Sequence, residues 1–243
     1  MVVTLKALHL LLFLQTFVCR SLITSHSRKF LVMTKFTYNQ KIIFQTVSIM
    51  VLFGLIFSAF LGFFFETTSP IIEKSEAEAK RRLLLELISN EIYDNDIEKD
   101  FLVIEPNNLL KNKKPTALYL VKYNEKNKVA IIETRAPDGY SGDIFLLVAI
   151  NEKAEILNVR VIKHQETPGL GDYIDKEKTN WIDIFQLQSL TKTNEKKWAV
   201  IKDQGEFDYV SGATITPRAV INAVKNALKY FEENKIKLGF TDV

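Results

Sequence analysis

An α+β fold carried on a single N-terminal transmembrane helix is the class this sequence predicts. Three observations predict it. Residues 42–65 form an apolar run without one charged side chain. Between residues 117 and 162 lie four short segments rich in β-formers, each bounded by turn residues. Near the C-terminus, Val220, Ala223, Val224, Ala227, Leu228 and Phe231 recur at helical spacing. Strands followed by a closing helix imply a mostly antiparallel sheet with flanking helices. The chain has 243 residues; less the anchor, this suffices for one core of ordinary size and hardly for two.

The anchor comes first. As a helix rising ~1.5 Å per residue, 42–65 reaches about 36 Å, enough to cross a hydrocarbon core of roughly 30 Å. Arg28, Lys29, Lys35 and Lys41 precede it, while Glu66 and Glu73 follow it. Positive flanks stay in the cytoplasm, so the C-terminal part is expected outside it. The expected organisation is a cytoplasmic segment 1–41, a span 42–65 and an outward domain 66–243.

The residues from Ala7 to Val18 resemble the apolar part of a signal peptide. Cleavage there would translocate the basic segment and reverse the span, and Val18 before Cys19 suits a lipoprotein site poorly. The alternative is a second span with an outside N-terminus. Translation starting at Met33, leaving the tail TKFTYNQK before the helix, is the expectation.

After the span, Ser69 and Pro70 are good N-cap and first-turn residues, and 71–89 reads as a helix leading away. Residues 105–108 read as a loop. Strands are expected at 117–123, 128–134, 144–150 and 156–162, with a further candidate at 197–202.

Composition narrows the chemistry. Residues 1–65 hold six basic and no acidic residues, leaving 26 basic against 29 acidic in the remainder. A nucleic-acid binder would show the opposite excess on its folded domain. The single cysteine, Cys19, precedes that domain, which excludes from it a disulfide, an iron–sulfur cluster or a thiolate metal site. His164 is its only histidine, too few for a zinc or copper cage unless carboxylates supply the rest. No acid–base pair is evident, so redox chemistry would require an organic cofactor. His164 itself reads as a structural hydrogen-bonder beside a turn.

Three motifs remain. In Asp208-Tyr209-Val210-Ser211-Gly212-Ala213-Thr214, the SGAT loop precedes Thr216, a plausible N-cap, and Pro217, suited to a first turn. Free N–H groups and the dipole at a helix N-terminus favour a phosphate, and Gly212 and Ala213 let it approach closely. A small-residue loop that merely caps a helix has the same pattern. In Glu166-Thr167-Pro168-Gly169-Leu170-Gly171-Asp172, Pro-Gly sets a type II turn, which aims Glu166, Thr167 and Leu170 in fixed directions. A plain connection would look alike. In Ala136-Pro137-Asp138-Gly139-Tyr140-Ser141-Gly142, the glycines either admit a planar ligand or simply join two strands.

Taken in order, APDGYSG, HQETPGLGD, NWIDIF and FDYVSGATITPRAV resemble the G subunit of the Rnf-type electron-transport complex. The resemblance covers about residues 130–230 closely and the anchor in position; 70–125 match in general character only. It implies that Asp208, Ser211, Gly212, Ala213 and Thr214 form the segment a flavin transferase recognises. Thr214 would then carry FMN through a phosphoester, with Ser211, Gly212 and Ala213 beside it. The resemblance also implies that Glu166, Thr167 and Leu170 border the flavin. A tether through the phosphate leaves the ring free to exchange electrons.

The function implied is that of an electron-carrier subunit, not an enzyme by itself. It would sit in the bacterial inner membrane with its domain in the periplasm, among other membrane subunits of an ion-translocating complex. The departure from the family pattern is the extension before Met33. The C subunit of the sodium-translocating NADH:quinone reductase shares both motif types and is the near alternative. An anchored scaffold with an unmodified Thr214 is the alternative of another class.

Overall fold

The structure, a computed structural model, describes residues 38–88 and 93–240. Cys19, the signal-like stretch and Met33 lie outside the described residues. The chain divides into two compact units, residues 1–65 and 66–243.

In the first unit the described chain is entirely helical and belongs to helix α1, Tyr38–Leu87. Its large apolar side chains, among them Phe44, Met50 and Leu61, are exposed. A surface of this kind is compatible with lipid and not with water. Thr46 donates its hydroxyl to the Ile42 carbonyl at 2.9 Å, so the side chain needs no water partner. Among the described residues this is the one helix long and apolar enough to cross a membrane.

Contrary to expectation, no helix begins at Ser69 and Pro70: Pro70 lies inside α1. Proline forfeits one backbone hydrogen bond and crowds a carbonyl, costing ~3 kcal/mol in a helix interior. The strong helix formers from Glu73 to Leu87 carry the helix through it.

The second unit is built on a five-stranded antiparallel meander in sequence order. Its strands are β1 Phe101–Ile104, β2 Thr116–Tyr123, β3 Lys126–Ala136, β4 Ile144–Asn151 and β5 Ile156–Lys163. The β2–β3 turn uses Asn124 and Glu125, both at positive φ, which matches the strand twist. Both faces of the sheet are covered. Ala130, Ile132, Leu146, Val148 and Ile150 point towards helix α2, Ile215–Asn234, meeting Val220, Val224, Leu228 and Phe231 in one core. Val129, Ile131, Leu147 and Ala149 face Leu84, Leu87 and Ile88 at the end of α1. Two buried faces explain why the strands read as continuous apolar runs. Ion pairs Lys80–Glu133 at 2.6 Å and Arg160–Glu86 at 2.8 Å fasten that end of α1 to the sheet.

Two elements differ from expectation. Strand β1 was not foreseen: it is four residues long, and three of them are exposed on the sheet edge. Residues 197–202 are not a strand. They span parts of two 3-10 turns, Glu195–Lys197 and Ile201–Asp203, with one isolated bridge from Val200 to Phe207. Trp198 and Val200 are drawn into the core beside Phe185 and Phe207, and Gly205 packs against the Ala199 carbonyl where any Cβ would collide. The chain therefore turns back before a ladder can extend. The NWIDIF segment forms another 3-10 helix, Trp181–Phe185, whose buried Phe185 joins the same aromatic cluster.

Candidate functional site

Three loops of the second unit converge. The first, residues 137–143, closes the β3–β4 hairpin. Gly142 sits at φ +130°, and a Cβ on Gly139 would lie 2.3 Å from the Gly142 carbonyl, so only glycine allows this closure. The tight turn leaves Tyr140 projecting, 69% exposed.

The second loop follows β5. The Thr167 carbonyl accepts from the Leu170 and Gly171 N–H groups at 3.1 and 3.0 Å, and Gly169 takes φ +77°, as a Pro-Gly turn requires. His164 Nδ1 accepts the Glu166 N–H at 3.1 Å, a structural role. Leu170 is exposed, whereas Glu166 is buried at 4% exposure. Both Glu166 oxygens are occupied: Oε1 accepts the Ser141 N–H at 3.0 Å, and Oε2 accepts the Thr216 hydroxyl at 2.5 Å. Gly171 makes room for that carboxylate, since a Cβ there would come within 2.7 Å of Oε2.

The third loop, residues 208–214, is held from outside. Trp181 Nε1 donates to the Asp208 carbonyl at 2.8 Å, and the Tyr173 hydroxyl donates to the Ala213 carbonyl at 3.4 Å. Burial pushes the Tyr173 phenol up to about 12; the Val210 N–H opposes this and the Glu166 charge reinforces it. Tyr173 therefore stays a neutral donor at ordinary pH. Gly212, at φ +92°, turns the chain into α2.

The start of α2 differs from expectation by two residues. Thr214 is the N-cap and Thr216 lies within the first turn. The hydroxyl expected to cap the helix is instead drawn to buried Glu166, a stronger acceptor than a backbone amide is a donor. Thr214 makes no side-chain cap bond, so its hydroxyl is uncommitted. The first N–H groups of a helix lack intrahelical partners, and Pro217 has none to offer. The orphan donors are therefore those of Thr214, Ile215 and Thr216.

A cavity of ≈ 350 Å³ opens between the loops, within the ~300–1,000 Å³ range of ligand sites. Glu166, Thr167, Leu170, Gly212, Ala213 and Thr214 all line it. Asp208 and Ser211 do not; both are exposed on the loop leading in. Sequence reasoning did not assign Tyr140, Ile215 and Thr216 to the wall. Tyr140, Leu170 and Ile215 are large, apolar and at least 45% exposed, and they give the mouth an apolar rim beside a polar end of backbone amides. An amphiphilic ligand with a planar apolar body and a phosphate fits this division. Tyr173 also escaped notice, because its role depends on loops far away in sequence.

Fold and cavity describe a nucleotide-cofactor domain, and residues 139–229 match the family described as FMN-binding domain. The match takes in the second and third loops whole and the first from Gly139 onward. The chain belongs to the family of the G subunit of Rnf-type ion-translocating oxidoreductase complexes. It is 38% identical to the G subunit of the ion-translocating oxidoreductase complex of Shewanella piezotolerans over 187 residues, 77% of this chain and 88% of the relative. It is 46% identical to the protein of the same name from Yersinia pestis over 165 residues, 68% of this chain and 78% of that one. The Photorhabdus laumondii counterpart is 45% identical over 166 residues, again 68% and 78% of the two chains.

Proposed function

We propose that this chain is a membrane-anchored electron carrier of an ion-translocating complex and holds FMN covalently, through a phosphoester on the Thr214 hydroxyl. One observation carries the reading: an uncommitted threonine hydroxyl opens into a cavity at a helix N-terminus, among orphan amides that suit a phosphate. Gly212 has nothing within 4 Å of where a Cβ would stand, so the backbone is open to a close approach. When bound, FMN supplies one- and two-electron chemistry that the protein's own side chains cannot.

The side chains position and shield. Tyr140, Thr167, Leu170 and Ile215 would border the ring and limit its contact with water. Glu166 ties its own loop to the hairpin loop and to the first turn of α2, so both its oxygens are committed within the protein. Asp208 and Ser211, exposed and outside the cavity, are free to be read by a flavin transferase before the cofactor is in place. The anchor would be 42–65 and the outward domain 66–243. The basic flank ending at Lys41 and the acidic Glu66 and Glu73 support a periplasmic domain. Other membrane subunits of the complex would be its partners, as the names of its relatives suggest.

Denaturing electrophoresis under ultraviolet light tests attachment, because only covalent flavin remains as a fluorescent band. The wild-type chain should fluoresce, and Thr214→Val, nearly equal in volume, should fold and stay dark. Mass analysis of the tryptic peptide 203–218 should place the adduct on Thr214. An adduct on Ser211 or Thr216, or no fluorescent band from cells that flavinylate other proteins, would refute the assignment.

A further inference from the structure

A second cavity, ≈ 270 Å³, lies where the β1–β2 loop meets the end of β3, and Lys113, Lys114, Glu133, Arg135, Asp143 and Phe145 are among its walls. The loop is firmly built. Buried Asn112 accepts the Asn107 N–H at 2.7 Å and donates to the Lys114 carbonyl at 3.0 Å and to Thr116 Oγ1 at 3.2 Å. The Arg135 N–H donates to the Leu110 carbonyl at 3.1 Å and pins the loop to the strand.

The Arg135 side chain is only 10% exposed, yet its Nε makes no hydrogen bond. Asp143 Oδ2 stands 3.2 Å from that Nε but off the line of the N–H, and the Asp143 side chain is itself 38% exposed. Glu133 is taken by Lys80 at 2.6 Å. Among the described residues neither Lys113 nor Lys114 has a carboxylate within ion-pair distance, although both line the cavity. Asp143 pairs with Arg135 and Glu133 with Lys80, so Lys113 and Lys114 bring uncompensated positive charge to the cavity, in a domain whose overall charge is slightly acidic.

A buried guanidinium nitrogen that makes no hydrogen bond is unfavourable, and its one ionic partner, Asp143, is poorly aligned to satisfy it. The planar fork of arginine matches carboxylate and phosphate alike, and two further ammonium groups favour the higher charge of phosphate. Phe145 supplies an apolar wall for whatever carries it. We propose that this cavity is an anion site that takes a phosphate group borne by a small molecule or a lipid headgroup. The proposal is independent of FMN attachment: Arg135 and Asp143 sit at the root of the hairpin, whereas Tyr140 at its tip lines the other cavity.

Calorimetric titration of the full flavinylated chain in detergent tests it, with inorganic phosphate as probe and chloride holding ionic strength constant. A parallel titration uses a short-chain phosphatidylglycerol below its micelle concentration. One-site saturable binding is expected, lost in Arg135→Gln and at least ten-fold weaker in the Lys113→Ala/Lys114→Ala double variant. Binding of phosphate assigns a soluble source, and binding of the lipid alone assigns a headgroup. Should Arg135→Gln not fold, the exposed lysine pair decides. Heat from neither probe, or binding unchanged in the lysine variant, overturns the proposal.

Discussion

Glu166 accepts from a backbone 25 residues before it and from a hydroxyl 50 residues after it. Replacing it by alanine leaves the buried Thr216 hydroxyl and the partly buried Ser141 amide without an acceptor, at ~1–3 kcal/mol for a fully buried group and less for the other. Glu166→Ala should therefore lower stability by about 2–4 kcal/mol. Glu166→Gln keeps one acceptor oxygen and should lose roughly half as much. Thermal unfolding of both variants in detergent measures the difference; equal losses would mean the carboxylate is not the clamp. Thr214 and Thr216 show what spacing can and cannot reveal. Spacing points to Thr216 as the cap, and only the buried carboxylate, invisible in the local pattern, draws that side chain inward and leaves the Thr214 hydroxyl free.

Two elements can be tested as units. If the 166–171 loop borders a flavin ring, Leu170→Ala admits water to one side. Reduction adds negative charge to the ring, and water stabilises that charge, so the midpoint potential should rise by about 30 mV, or roughly 1.4 kcal/mol for two electrons. Potentiometric titration with attachment confirmed reads this directly. Unchanged potentials with a lower melting temperature would leave the loop a purely structural part.

The 208–214 loop leans on Tyr173, whose phenol is raised to about 12. The unfolded chain gives up this proton near pH 10 while the folded chain keeps it. The contribution of Tyr173 to stability should thus be fully present below about pH 10 and be lost as pH rises towards 12. Tyr173→Phe should flatten this alkaline fall. A melting profile as steep as the wild type's between those limits would show that another group controls it.

At the scale of the whole molecule, orientation rests on charge. Six basic and no acidic residues lie in 1–65, and acidic residues begin at Glu66. A reporter active only outside the cytoplasm should therefore work when fused after Val243 and fail when fused before Met33. The reverse pattern would overturn the proposed topology and deny a periplasmic transferase access to Thr214. The second unit depends for its integrity on the end of α1, because Leu84, Leu87 and Ile88 cover one face of its sheet. That dependence was not legible beforehand. The stretch from 71 to 89 read as a plain helix, and what it covers follows only from the sheet that meets it.

Local patterning carries the long apolar run, four of the five strands, the closing helix, and the order of three loops that hold the family's motifs. These are signals of period and composition, set within a dozen residues, and short-range sterics and apolar patterning suffice to produce them. The tertiary structure alone decided the rest. It withheld strand status from 197–202, because burial of Trp198 and Val200 outweighed local β-propensity. It recruited Phe101–Ile104 as an edge strand through pairing with β2. It joined the hairpin loop and the start of α2 through Glu166 and left one threonine hydroxyl of two uncommitted. Each of these outcomes depends on a partner distant in the chain, which no local window of sequence contains.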